Sequence, residues 1–364
     1  MDALSASLAL LSLAHSEPQP RVAAVIGASR GIGRAVANTL GQSKYTVYCI
    51  ARSSTQNGLH SSLTVENTAQ SVTSAGGKGI PLPLDLTNYQ QLQDAAALIE
   101  KQAGRLDLLV YSAYSPPAGK LRGNFWEQPP EMWDACNDVG LKSAYLASAV
   151  LAPLLIQTAQ KQEKSDDAPG PLLTLVSSFG GRSFTFNVAY GVGKAGIDRL
   201  AADMSIQLKP FGVSTTSLYP GVVRTERNLE LDERGLFKEA SGGLTLDASA
   251  SESPEFTGRA VVALSSLSRS AMLSRSGRVE VVAELAKEFG FRDVDGAIPP
   301  SIRSLRFLLP NFVFPQVEEE SKKPIPNWIR ENVPDVLLPW NIFGAPRPDD
   351  SAAKVGVQET GKID

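Results

Sequence analysis

The 364-residue chain is 43% hydrophobic with a formal net charge of −3. That supports one large or two modest domains and offers no basic footprint for nucleic acid. Two cysteines (Cys49, Cys136) and two histidines (His15, His60) are too few for a disulfide framework, a cysteine zinc site or histidine-based chemistry, so no metal is expected and the setting is read as reducing and cytoplasmic.

Residues 3–14, ALSASLALLSLA, have the length of a secretory apolar core, but Met1-Asp2 ahead of them supplies an acid and no Lys or Arg. Residues 1–20 therefore read as a flexible arm. VAAVIG (22–27) predicts a first strand and 31–40 a helix; TVYCIAR (46–52) and GIPLPLDL (79–86) predict the next two strands. A helix over 88–103 sets Leu92, Ala95, Ala96, Ile99 and Ala103 at three-to-four spacing, and LDLLVYSA (106–113) is a fourth strand, closed by Tyr-Ser-Pro-Pro. A long helix over about 130–158, a polar loop (160–170), a strand (171–178), a helix (188–208) and a strand (213–220) continue the series. No stretch reaches the ~20 apolar residues of a membrane span. Repeated βα units predict an α/β fold: a Rossmann-type, doubly wound parallel sheet of about seven strands, with helices on both faces, within 21–296.

Beyond Arg224 the alternation weakens. Residues 226–256 are charged and then Gly/Ser-rich, which predicts a mobile loop or lid; a helix (256–266) and a strand (277–283) close the sheet. Residues 297–345 read as a Pro/Trp-rich appendage and 346–364 as a disordered tail.

GASRGIG (27–33) lies directly after one strand and opens a helix. Gly27, Gly31 and Gly33 permit a tight turn and close approach of backbone to a pyrophosphate at the helix N-terminus, with Ser29 and Ile32 in the same loop. Arg52 ends the second strand, where an NAD-preferring fold carries an acid for the ribose 2′-hydroxyl; an arginine suits a 2′-phosphate instead. YGVGK places Tyr190 and Lys194 four apart on one helix face, where a lysine charge favours the phenolate and is expected to lower the tyrosine pKa.

The G-x-x-x-G-x-G loop, the strand end LVSSFGG, YGVGK and the turn LYPGVVRT (218–225), in that order over roughly 200 residues, resemble the short-chain dehydrogenase/reductase family. The resemblance implies an oxidoreductase with Ser178, Tyr190 and Lys194 as catalytic residues, Ser177 being a lesser candidate. It implies NADPH/NADP+ as cofactor, with Arg30 beside Arg52 on the 2′-phosphate and Asp85 and Leu86 at the adenine. Ser112 and Ala113 would floor the cleft, the Pro220-Gly221 turn would line the cofactor, and Val222 and Thr225 would hold the nicotinamide carboxamide. Two departures stand out. Tyr111-Ser112-Ala113-Tyr114 replaces the family's Asn-Asn-Ala-Gly, and Gly140 replaces the asparagine that holds a relay water; Asn137 or Asp138 are alternative relay groups.

Further stretches, among them VYSAYSPP and FWEQPPEMWDACNDVGLKSAY (125–145), resemble one subgroup of broad-specificity NADPH-dependent carbonyl reductases acting on lipophilic carbonyls. The implied substrate enters beside Tyr114 and Phe179. By resemblance the chain forms a homodimer or homotetramer through the two long helices, and 305–343 is a candidate for membrane-surface attachment. The alternative is a non-catalytic NADPH-binding sensor or scaffold, which the missing asparagine favours and the intact Ser178, Tyr190 and Lys194 oppose.

Overall fold

The computed structural model describes residues 19–57, 62–115, 124–162, 167–241, 243–247 and 250–343. The N-terminal apolar stretch, His15, His60 and the 346–364 tail lie outside them.

Strand β1 (Val22–Ile26) shows how the core is made. All five residues are buried; Ala23 and Val25 face one hydrophobic cluster, and Val22, Ala24 and Ile26 face the other. A strand apolar on both faces is the mark of a parallel sheet covered on both sides. After β1 come α1 (Gly31–Gln42), β2 (Thr46–Ala51), α2 (Val65–Ser74), β3 (Lys78–Pro83), α3 (Tyr89–Ala103) and β4 (Leu108–Tyr111). Helix α4 (Glu131–Asn137) runs through a π-helical turn, Asp138–Lys142, into α5 (Ser143–Lys161). Then follow β5 (Leu172–Val176), α6 (Val188–Leu208), β6 (Ser214–Tyr219) and β7 (Val222–Val223). The series ends with α7 (Glu226–Glu233), α8 (Phe237–Ser241), β8 (Ser251–Glu252), α9 (Pro254–Ser265), α10 (Arg269–Arg275), β9 (Val279–Val281) and α11 (Val282–Phe289).

The main sheet has seven strands, all parallel, in the order β3-β2-β1-β4-β5-β6-β9. Winding reverses between β1 and β4, which makes their carboxyl ends the place where such sheets bind ligands. The predicted doubly wound fold is therefore the observed one.

Four local expectations need correction. The third strand stops at Pro83 rather than 86, because Asp85 turns the chain by accepting from the Thr87 amide (2.9 Å) and hydroxyl (2.8 Å). The 226–256 segment is not a loop throughout: Thr225 caps α7 by accepting from the Asn228 amide (3.3 Å), and Phe237 of α8 is buried against Ile302 and Phe307. The final strand keeps only three residues before α11 begins. The helical run Glu131–Lys161 is long and apolar enough to cross a membrane by length and composition. Part of its apolar surface belongs to the core, where Ala144, Ala147, Leu151 and Leu155 pack in the cluster that also holds β4 and β5 residues, while Trp133 and Tyr145 are exposed.

Beyond α11, short helices α12 (Leu305–Leu308), α13 (Phe314–Ser321) and α14 (Asn327–Glu331) pack on the domain. Arg303 fastens this region with two 2.7 Å hydrogen bonds to the Glu284 carboxylate and one of 2.7 Å to the Leu338 carbonyl, its guanidinium 5.0 Å from the Trp340 ring centre.

Candidate active site

The loop after β1 meets the end of β4 backbone to backbone. A Cβ on Gly27 would stand 2.7 Å from the Ala113 amide nitrogen, and one on Gly33 would stand 2.2 Å from the Gly27 carbonyl oxygen. Gly27 and Gly31 have φ of 88° and 55°, in the left-handed region. Ser29 and Leu86 are buried, Ile32 packs against the core, and the Ser112 amide continues the ladder to the Ile26 carbonyl (2.9 Å). The glycines thus leave a bare cradle at the start of α1. The Gly31 amide, at the N-terminus of α1, donates to the Glu226 carboxylate at 2.8 Å.

Just beyond the end of β2, the Ser53 hydroxyl accepts from the Arg30 guanidinium (3.2 Å). The Arg52 charge in turn helps hold the Asp85 carboxyl below its usual range, behind the hydrogen bonds from Thr87. Arg30 thus meets the residue that follows Arg52, and Arg52 lies within electrostatic reach of Asp85. One Asp85 oxygen is already occupied as a strand-end turn.

The catalytic candidates come from β5 and α6. Asn187 caps α6, its side chain accepting from the Tyr190 amide at 2.8 Å, which fixes Tyr190 in the first turn. The Ser178 and Tyr190 hydroxyls lie 2.8 Å apart, and the Gly180 amide donates to Ser178 Oγ (3.2 Å). Ser178, not Ser177, is the partner: Ser177 donates to the Lys194 carbonyl (3.1 Å) instead. Lys194 Nζ donates to the Val176 carbonyl (3.4 Å) and lies 5.8 Å from the centre of the Tyr190 ring.

Burial pushes the Tyr190 phenol up to about 12, against the downward pull of the Ser178 hydrogen bond. This corrects the expected lowering: loss of hydration, which the charged form feels most, outweighs the neighbours. Burial likewise lowers Lys194 to about 8, with Asp198 one turn on opposing it. At neutral pH the pair is therefore a neutral phenol beside an ammonium.

Among the described residues neither alternative relay group hydrogen-bonds Tyr190 or Lys194, although the Asn137 side-chain oxygen is buried without a partner against Gly193 of α6. The Asn137 amide donates to the Trp133 (3.1 Å) and Ala189 (3.2 Å) carbonyls, tying α4 to α6, and Asp138 offers its backbone carbonyl to Ser143 Oγ (2.7 Å). At the Pro220-Gly221 turn, a Gly221 Cβ would lie 2.8 Å from a Glu252 carboxylate oxygen. Val222 pairs with Ser251 across the β7–β8 ribbon, and Thr225 begins α7. Burial pushes Glu252 up to about 8.

Sequence reasoning missed Asn187, Glu226, Glu252 and Phe186. Only Asn187 left a readable signal, a capping residue just ahead of a helix. Phe186 sits at φ 63°, a strained value for a non-glycine residue, with its ring centre 4.9 Å from that of Tyr190. Phe179, next to Ser178, meets Phe343 edge-on at 5.0 Å, and both neighbour an apolar cluster containing Phe237, Leu244, Leu246 and Trp340.

The profile of the family described as short chain dehydrogenase matches residues 21–235. The chain belongs to the short-chain dehydrogenase family. It is 38% identical over 299 residues to dehydrogenase/reductase SDR family member 1 of Mus musculus, covering 79% of this chain and 88% of that protein. The Homo sapiens protein of the same name is 37% identical over 282 residues, 76% of this chain and 84% of its own length. Among solved structures, a Brucella melitensis 3-oxoacyl-[acyl-carrier protein] reductase in complex with NAD superposes with a TM-score of 0.60 at 19% identity, over 73% of this chain and 96% of that one. A metagenomic short-chain oxidoreductase in complex with NADP gives 0.52 at 23% identity, over 72% and 95%. Those two likenesses carry the shared fold; the family membership makes this chain an oxidoreductase.

Proposed function

We propose that the chain is an NADPH-dependent carbonyl reductase acting on lipophilic ketones and aldehydes. The observation that carries this reading is the 2.8 Å approach of Ser178 and Tyr190, with Lys194 one turn away, beside the Phe179–Phe343 pair.

Gly27, Ser29, Gly31, Ile32 and Gly33 would cradle the pyrophosphate, with Glu226 giving way. Arg30 and Arg52 would take the 2′-phosphate as charge-assisted hydrogen-bond donors, a geometry suited to guanidinium. Ser112 and Ala113 would floor the cleft, Asp85 and Leu86 would lie at the adenine, the Pro220-Gly221 turn would line the cofactor, and Val222 and Thr225 would lie at the carboxamide. When bound, the reduced nicotinamide supplies the hydride.

The rest is the work of this chain. Ser178 hydrogen-bonds the carbonyl oxygen as negative charge grows on it. Tyr190, neutral up to about pH 12, donates its phenolic proton to that oxygen. Lys194 stabilises the resulting phenolate while it stays charged. Because its pKa is near 8, the reductive rate falls as pH rises through that value. The aromatic side chains of Phe179, Phe343 and Trp340 favour an apolar substrate body.

The test is NADPH consumption across a panel of ketones and aldehydes. Tyr190→Phe is expected to lower turnover by about 10²–10⁴-fold; turnover at the parent level would sink the mechanism. A homodimer through α4–α5 and α6 is part of the reading, supported by the exposed Trp133, Tyr145, Val188, Val192 and Ile206 on those helices. Trp133→Glu should then give a monomer by light scattering. Membrane-surface attachment would use the exposed Phe312, Val317 and Trp328, and a vesicle flotation assay tests it.

A further inference from the structure

We propose that Tyr114 takes the place of the missing asparagine: its ring, admitted by Gly140, holds the Lys194 ammonium beside Tyr190 as a positioning group. This rests on the reductase reading of Ser178, Tyr190 and Lys194.

The first support is steric. A Cβ on Gly140 would lie 3.4 Å from Tyr114 Cδ2 and 3.9 Å from Cε2, with no other atom outside its own helix backbone within 4 Å among the described residues. A Cβ alone would therefore rest in ordinary contact with the Tyr114 ring, and the longer side chain of an asparagine has that ring as its first neighbour. The two departures from the family pattern, 26 positions apart in sequence, are one fitted pair.

The second support is the company the ring keeps. Lys194 Nζ lies 5.3 Å from its centroid, within the range of a cation–π contact. Its centroid is 5.8 Å from that of Tyr190, at an interplanar angle of 83°. The Tyr114 hydroxyl is engaged elsewhere, 3.7 Å from Cys136 Sγ on α4. Burial pushes the Tyr114 phenol far above its ordinary range, so it stays neutral beside the ammonium.

The third support concerns water. The space between Tyr114, Cys136, Gly140, Tyr190 and Lys194 has no room for a water molecule. A water-bridged relay at this point is closed by packing. Tyr111 braces the same wall, its hydroxyl donating to the Val139 carbonyl inside the π turn. An ammonium stripped of water depends on the partners that remain, which here are the Val176 carbonyl at 3.4 Å, the Asp198 charge one turn on and the Tyr114 ring face.

Two measurements test this. Thermal melts of the cofactor-free parent, Gly140→Asn, Tyr114→Ala and the double variant form a cycle that needs no turnover. Gly140→Asn should cost several degrees in the parent and little in the Tyr114→Ala background; additive losses would overturn the fitted pair. The second measurement is the pH profile of carbonyl reduction. In Tyr114→Leu the alkaline limb should move to lower pH by about half to one and a half units, because a less supported ammonium loses its proton earlier. Tyr114→Phe, which keeps the ring, should restore the parent limb. A Leu limb coinciding with the parent's would overturn the positioning role. Tyr114→Met supplies the same reading if the leucine variant does not fold. A parent protein that reduces no carbonyl would instead count against the reductase reading, while the melting cycle still decides whether ring and glycine are fitted.

Discussion

The two loops that face each other across the switch point are built on opposite principles. After β1, backbone touches backbone: Gly27 lies on Ala113, and Gly33 on Gly27. After β4, side chains meet the bulged helix, with Tyr111 on Val139 and Tyr114 on Gly140. A backbone contact admits no compensation, because no neighbour can be trimmed to make room. A side-chain contact does, since shrinking one partner lets the other grow. The glycine loop matches the family's pattern, and the strand end facing it departs from that pattern.

The largest test of this contrast is Gly33→Ala. Its Cβ would be forced against the Gly27 carbonyl, so we expect a loss of about 3 kcal/mol in stability and a collapse of NADPH binding, read by melting and cofactor fluorescence. A near-neutral alanine would show that the loop has slack and break the comparison. Arg30→Ala leaves the backbone alone and removes one guanidinium. NADPH affinity should fall by about 10- to 100-fold with NADH affinity unchanged, as losing a charged hydrogen bond predicts; equal losses for both cofactors would refute the 2′-phosphate assignment.

Glu226→Gln is smaller and opposite in sign. Removing the carboxylate from the Gly31 amide should tighten NADPH by about two- to fivefold in a binding titration, the usual worth of one charge at a helix N-terminus. A separate test works through pH on Glu252, packed against Gly221. Its raised pKa means that the folded chain holds a proton the unfolded chain has released, so stability is lost as pH rises from about 4.5 to about 8. Glu252→Gln, neutral throughout, should flatten that fall by a few degrees between melts at pH 5 and pH 8.5.

What could be read from sequence follows the same division. The strand–turn–helix at 27–33, the parallel sheet and the spacing of Tyr190 and Lys194 are local patterns, and each was legible. The helices over 226–241 were not, because Phe237 finds its partners more than sixty residues away, at Ile302 and Phe307. Tyr114 was legible as an oddity, too large to copy the glycine it replaces. Its partnership with Gly140 was not, since only the π turn Asp138–Lys142 brings the two together. The position of Tyr190 was readable but its acidity was not: a neighbouring lysine suggests a low pKa, whereas burial depends on the whole packing around the phenol.

Strand β3 has a consequence for how the molecule behaves in a crowded solution. It is one rim of the sheet, and Lys78 and Leu84 donate their amides inward to Tyr45 and Ala51 of the β2 side. The alternate residues 79, 81 and 83 face outward. Gly79 spends its amide on the Thr73 hydroxyl (3.1 Å), and Pro81 and Pro83 have none to give. A foreign strand arriving at this rim meets a border stripped of donors and cannot zip onto it. The prolines that look like a poor choice for a strand act as a guard against edge-to-edge aggregation.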